Sequence, residues 1–228
     1  DAVPSSLSLL LEPLDVPYTV LVNGQEVALI QTGVLDPRFL TADIADVARE
    51  GINVVAMRYS CKGVRLDPPD NLHRITGDLV PEPARLLGSF TAMPEDDEGE
   101  FLLYAGFPDQ IVTGTWVDQG FPHFSGVLEY SQPVTIKADY FDYRLMLAWE
   151  NAAEIVDVLV NGRPVGVRPW PPNAVDISEH AFAGTNLITL RVTNTAVNAL
   201  LGQPRPSGIL GAVRIEPYAR CEVKVPKD

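Results

Sequence analysis

Apolar and polar positions alternate through much of this chain with the two-residue period of a half-buried strand, and the pattern is sharpest from Ile155 to Leu190. Ile155, Val156, Val158 and Val160 form a β-branched run that stops at Asn161-Gly162, and Val165 and Val167 resume it. Asn and Gly both accept positive φ, so the spacing predicts a strand, a tight hairpin and a return strand. Pro169, Pro171 and Pro172 forbid a ladder, which predicts a loop across one end of the sheet carrying Trp170. A further strand from Asn186 to Val192 follows the Gly184 turn.

The same grammar occurs earlier. Val22-Asn23-Gly24 matches Val160-Asn161-Gly162, Asp43-Ile44 matches Asp176-Ile177, and Gly51-Ile52-Asn53 matches Gly184-Thr185-Asn186. The order of three matched motifs points to an internal duplication of part of a β-sandwich. Further strands are expected at Leu7 to Leu11, Tyr18 to Val22, Gln25 to Ile30, Ile52 to Tyr59, Val134 to Ala138, Arg144 to Trp149 and Ala212 to Tyr218. Thr41 to Glu50 reads as one short helix, capped by Thr41 or Asp43 and terminated by Gly51. The polar, proline-punctuated stretch from Lys62 to Pro83 reads as a connector, after which Leu86 to Phe90 and Phe101 to Leu103 open a second unit.

Composition narrows the picture. Twenty prolines and 17 glycines in 228 residues imply many turns between short strands, so an all-β fold is expected. The net charge of -13 opposes nucleic acid and anionic membrane as partners, since phosphate neutralisation requires clustered Lys and Arg. Neutral ligands, cations or proteins fit better. No stretch has the continuous apolar length of a membrane span, and the first residues lack the basic region of a signal peptide. A secreted or periplasmic location is the expectation.

Candidate chemistry is sparse. Cys61 and Cys221 read as two unpaired buried thiols or, in an oxidising compartment, as a disulfide. His73, His123 and His180 lack the spacing of a zinc site. Asp96, Asp97, Glu98 and Glu100 read either as a solvated hairpin tip or as a structural calcium site, the one cofactor expected here. Trp116, Phe121, His123 and Phe124 lie in a segment rich in aromatic residues and glycine, suited to stacking on the apolar faces of sugar rings or to core packing. Neither Ser125-Gly126 nor Ser207-Gly208 has the context of a nucleophile elbow.

From about Leu87 to Tyr218 the ordered motifs are more specific. Phe124-Ser125-Gly126 leads to Tyr130, followed by Val160-Asn161-Gly162 with Gly166, Pro171-Pro172, Asp176-Ile177 and Gly184-Thr185-Asn186. Val192-Thr193-Asn194-Thr195 and Pro206-Ser207-Gly208-Ile209 complete the series. This region resembles the galactose-binding-like jelly roll that serves as the sugar-binding domain of family 2 glycoside hydrolases, such as β-galactosidases and β-glucuronidases, and of rhamnosidases. Residues from about Ser6 to Ser60 resemble only the second half of another such domain.

The resemblance implies a jelly-roll β-sandwich in one complete copy, residues 87–228, and one partial copy with a connector, residues 1–86. It implies a noncatalytic accessory region of a larger glycoside hydrolase, whose upstream strands and catalytic domain would be its partners. By motif position it implies carbohydrate contacts at His123 and Asn194, where the family pattern has Asn and Asp respectively. Trp170, Trp116 and Phe124 complete the candidate sugar-binding set. The bland alternatives are turn formation by Asn194 and Asn198, a capping role for Trp170 over the core, and a structural interdomain module that binds no sugar. A complete hydrolase of another type would require two carboxyl groups converging in a cleft.

Overall fold

The computed structural model describes residues 2–14, 16–34, 36–59, 84–94, 101–201, 204–219 and 221. The chain divides into two compact units, Asp1–Thr91 with Phe101–Phe107 and Ala92–Glu100 with Pro108–Asp228. Both are built of antiparallel strands, so the all-β expectation holds.

In the first unit, strands β1 (Leu7–Leu11), β2 (Tyr18–Val22), β3 (Gln25–Val27), β4 (Ile30–Gln31), β5 (Leu40–Asp43), β6 (Val55–Tyr59) and β7 (Arg85–Gly88) form two sheets, ordered β4-β5-β1-β7 and β3-β2-β6. Leu7, Leu9 and Leu11 from β1 meet Val20 and Val22 from β2, with Val27, Ala42 and Ile44 completing the core. β8 (Phe90–Pro94) and β9 (Phe101–Ala105) form a two-stranded ribbon.

The second unit comprises β10 (Val127–Ile136), β11 (Arg144–Trp149), β12 (Ala152–Ala153), β13 (Ile155–Val160), β14 (Arg163–Arg168), β15 (Ala174–Asp176), β16 (Gly184–Thr193), β17 (Gly208–Ile209) and β18 (Val213–Tyr218). Its main sheets run β10-β16-β13-β14 and β15-β11-β18, with β12 and β17 paired separately. Alternate residues from both sheets, including Leu145, Leu147 and Trp149 opposite Val156, Val158, Val160, Ile188, Leu190 and Val192, fill one core. The result is a β-sandwich.

The duplication legible in the sequence extends to the hydrogen bonds. Asn161 and Gly162 have φ of 53° and 76°, and Asn23 and Gly24 have 51° and 83°, as a two-residue hairpin turn of this kind requires. The Asn161 side chain donates to Asn186 Oδ1 (2.9 Å) and accepts from the Leu187 amide (2.9 Å). Asn23 donates to Asn53 Oδ1 (2.8 Å) and accepts from Val54 (3.0 Å). Asn186 folds the preceding turn around itself, accepting from Phe182 N–H and donating to the carbonyls of Phe182 and Gly184. Asn53 does the same with Arg49 and Gly51. Strand pairing follows suit: β1 sits between β5 and β7, and β11 sits between β15 and β18.

The structure departs from the sequence expectations in two segments. Residues 41–50 do not form a helix, because Thr41, Ala42 and Asp43 pair with Leu10, Leu9 and Ser8 and place Ala42 in the core. Only a single turn follows, with Val47 and Ala48 donating to the Ile44 carbonyl and Asp43 Oδ1 accepting from the Ala45 amide (3.1 Å). The strand expected at Leu86 to Phe90 forms as β7 and pairs with β1, where its position corresponds to that of β18 against β11.

Asn186 is fully buried whereas Asn53 is exposed, although both make the same bonds. Water can replace the lost partners only at the exposed site. Asn186→Ala is therefore expected to destabilise the second unit by about 2–3 kcal/mol, and Asn53→Ala the first by about 1 kcal/mol or less. Urea unfolding read by unit-resolved hydrogen exchange measures both; equal losses would contradict this account.

Candidate functional site

Strand register gathers four loops at one end of the second sandwich. Thr193 at the end of β16 pairs with both Val127 and Ile155, and Val156 pairs with Arg168. On the other sheet Ala148 pairs with Ala174 and Trp149 with Val213. The loops before β10, between β11 and β13, between β14 and β15, and between β16 and β18 therefore meet there. All of the candidate sugar-contacting residues lie in these loops.

Their environments differ sharply. Trp116 is fully buried, with its indole N–H donating to the Tyr130 hydroxyl (2.6 Å). Phe124 meets its ring edge-on at 5.6 Å, and Phe121 meets Phe124 at 5.8 Å. The faces of Trp116 are thus covered by protein, and this ring is a core residue rather than a stacking platform. Phe124 is partly buried in the same cluster.

Asn194 is also buried, and its side chain is spent on the loops. It accepts from the Gly126 amide (2.8 Å) and donates to the Phe124 carbonyl (2.8 Å) and to Ser207 Oγ (3.1 Å). Asn198, in the short helix α1 (Val197–Leu201), exchanges bonds with the Arg205 backbone and donates to Ser207 Oγ (3.3 Å). Ser125 Oγ donates to the Thr195 carbonyl (2.9 Å) and accepts from the Ala199 amide (3.2 Å). These side chains replace missing ladder bonds, which is how an irregular loop cluster satisfies its buried polar groups.

Two candidates reach solvent. Trp170 is 73% exposed, on a loop whose feet are fixed by Arg168 Nε donating to the Ala174 carbonyl (2.8 Å) and the Trp149 amide donating to the Asn173 carbonyl (3.0 Å). His123 is exposed beside α1, with Nδ1 3.4 Å from the Asn198 carbonyl oxygen. Glu154 occupies the same end with φ of 80°, accepting from the Thr195 hydroxyl (3.3 Å). A glutamate in the left-handed region is strained, and nothing in the local sequence announces it.

Two further carboxylates, Glu150 and Asp176, are engaged in ion pairs. The Ala212 amide and the Arg214 guanidinium, 2.6 Å away, hold Glu150 below the usual carboxylate range. Arg144, Met146, Ala148, Ala174, Glu216 and Tyr218 line a shallow groove of about 380 Å³ on the outer face of the β15-β11-β18 sheet. At its rim, burial works to raise the Asp176 pKa, but hydrogen bonds from Ser178 Oγ and N–H and the Arg144 guanidinium outweigh it and hold the group at about 2. The acidic loop considered for calcium lies outside the described residues. Among those described, no group of three or more His, Cys, Asp or Glu is placed to hold a metal ion. Cys221 is an exposed free thiol rather than a buried one, because it lies beyond the last strand, and Cys61 is outside the described residues.

No protein-family model matches the chain. Over 90 residues it is 28% identical to a protein of Formosa agariphila that carries a β-glucuronidase name, a match spanning 39% of this chain and 8% of that protein. Similar solved structures include a rhamnosidase from Novosphingobium sp. PP1Y (18% identity, TM-score 0.40, 92% of this chain and 21% of that one). Another is a glycosyl hydrolase family 2 member from Bacteroides cellulosilyticus (18%, TM-score 0.37, 57% and 18%). A third is a β-glucuronidase from Bifidobacterium dentium (23%, TM-score 0.34, 44% and 16%). The chain spans about a fifth or less of the length of each of these relatives.

The packing around Trp116 makes Gly208 indispensable. A Cβ there would lie 2.5 Å from Trp116 Nε1 and 2.8 Å from the Tyr130 hydroxyl, on a backbone with φ of 108°. Gly208→Ala is expected to cost roughly 2 kcal/mol or more, visible as a lowered melting temperature by circular dichroism. The depressed Asp176 pKa has a definite sign. Its contribution to stability is present above the ordinary value of 3.8 and is lost as pH falls from there towards 2. Asp176→Asn should therefore lose less stability than the parent between pH 4 and 2, as measured by urea midpoints at each pH; an unchanged acid slope would count against the ion pair.

Proposed function

We propose that this chain is a noncatalytic, carbohydrate-binding β-sandwich region of a larger glycoside hydrolase, with the hydrolytic carboxyl groups on a separate domain. The observation that carries this reading is the sequence match to a small part of a much longer protein bearing a β-glucuronidase name. The ordered motifs from Phe124 to Ile209 support it independently. On this reading the second unit is a complete galactose-binding-like jelly roll and the first a partial one, as their repeated strand order suggests.

The sugar-facing surface is assigned to the loop end of the second unit. Trp170 offers an apolar ring face to the C–H groups of a pyranose, and its loop is tied down at both feet, so little ordering is required on binding. His123 supplies a polar edge. Asn194 positions the Phe124–Gly126 turn that immediately follows His123 and is itself withdrawn from solvent, and Trp116 and Phe124 support the same loops from below.

A glycan array followed by calorimetry on the purified chain, with calcium present and absent, tests the assignment. Trp170→Ala is expected to weaken binding roughly tenfold or more, and His123→Ala by less, both with unchanged melting temperature. Absence of binding to every glycan would overturn the sugar-binding reading in favour of a structural interdomain module.

A further inference from the structure

The order β3-β2-β6 of the first unit matches β14-β13-β16 of the second, where the sheet continues by one further strand. In the second, β16 lies between β13 and β10, and its ten residues pair throughout with the ten residues of β10. In the first, the corresponding strand β6 pairs with β2, and its other edge meets no strand among the described residues.

Backbone polarity defines what that edge offers. The Asn23 amide donates to the Val54 carbonyl (2.8 Å), so Val54, Ala56 and Arg58 direct their N–H and C=O groups towards β2. Val55, Met57 and Tyr59 therefore direct theirs outward. Their counterparts in the second unit are Ile188, Leu190 and Val192, which face Gln132, Tyr130 and Leu128 of β10. The Asn194 amide, donating to the Gly126 carbonyl (3.1 Å), continues the same series.

Side-chain burial shows the same vacancy. Ile188 is 6% exposed beneath β10, whereas Val55 at the equivalent place is 44% exposed. A hydrophobic open edge with a single charged residue, Arg58, lacks the lysines and prolines by which edge strands usually repel other chains.

We propose that the edge of β6 is an acceptor for one antiparallel β-strand supplied by polypeptide outside these 228 residues. The occupant is an extended segment in the register of β10, with apolar residues opposite Met57 and Tyr59 where β10 presents Tyr130 and Leu128, and polar ones between. Main-chain bonds from Val55, Met57 and Tyr59 supply the recognition, as in other strand additions. β10 itself indicates the pattern: Leu128, Tyr130 and Val134 pack partly buried against the core while Glu129 and Ser131 face out. This proposal is independent of sugar binding and survives its failure.

The probe is a synthetic peptide of sequence VLEYSQPVTI, copied from β10, titrated into the isotope-labelled 228-residue chain with a scrambled peptide as control. Amide-resolved hydrogen exchange should slow roughly tenfold at Val55, Met57 and Tyr59 near saturation. Ala56 and Arg58, already bonded to β2, and Ile188, Leu190 and Val192, already covered by β10, should not change. Val55→Pro removes only an outward N–H and should abolish the effect; Val55→Lys, which keeps the backbone donor, provides a second block if the proline variant fails to fold. No protection by the peptide, or amides already protected in the free monomeric chain, would overturn the proposal. A dimer that Val55→Pro or Val55→Lys dissociates, without peptide protection, would overturn it in favour of a second copy of the chain.

Discussion

The pairing of β13 with β16 in the second sandwich is registered on one buried carboxamide. Asn186 sits at the start of β16, away from water, and can remain there only if its oxygen and both amide protons are bonded. Phe182, Gly184 and Asn161 provide those partners, which fixes the turn before the strand and the hairpin turn beside it together. Once Asn161 is held, β13 and β16 can align in only one register, since a shift by one residue would turn Val156, Val158 and Val160 out of the core. The loops at the far end of the sheet inherit their spacing from that alignment.

The first unit shows how far the same constraint acts when burial is reduced. Asn23 and Asn53 reproduce the bonds, and the strands they align pair in the equivalent register, Val22 with Val55 as Val160 pairs with Ile188. Shared geometry therefore precedes shared environment: the hydrogen-bonding pattern is local, whereas the burial of Asn186 depends on the strands packed around it. The loop end uses a different device. There Asn194, Asn198, Ser125 and Ser207 satisfy backbone groups that no ladder reaches, so a polar side-chain lattice rather than sheet pairing sets the position of His123.

Much of this was legible in the sequence because it rests on short-range chemistry. Asn-Gly at two places requires a tight turn, alternating β-branched residues require strands, and the spacing from Asp176 to Gly184 and from Asp43 to Gly51 reported the repeat. What was not legible depended on contacts between distant segments. Residues 41–50 have helical propensity, but pairing with β1 overrides it, because burying Ala42 requires an extended backbone there. Trp116 has the composition of a binding aromatic, and only the approach of Gly208 and Tyr130 shows that it is enclosed. The left-handed backbone of Glu154 carries no residue signature, since glycine or asparagine would be the usual occupants.

All three tryptophans, Trp116, Trp149 and Trp170, belong to the second unit, and only the last is open to solvent. Intrinsic indole emission is consequently blind to the first unit and divided within the second: two shielded fluorophores report the integrity of its core, while the third is accessible to a soluble quencher from the loop end. The chain thus carries an optical partition of its own, in which core opening and surface occupancy have separate spectral signatures without any added label.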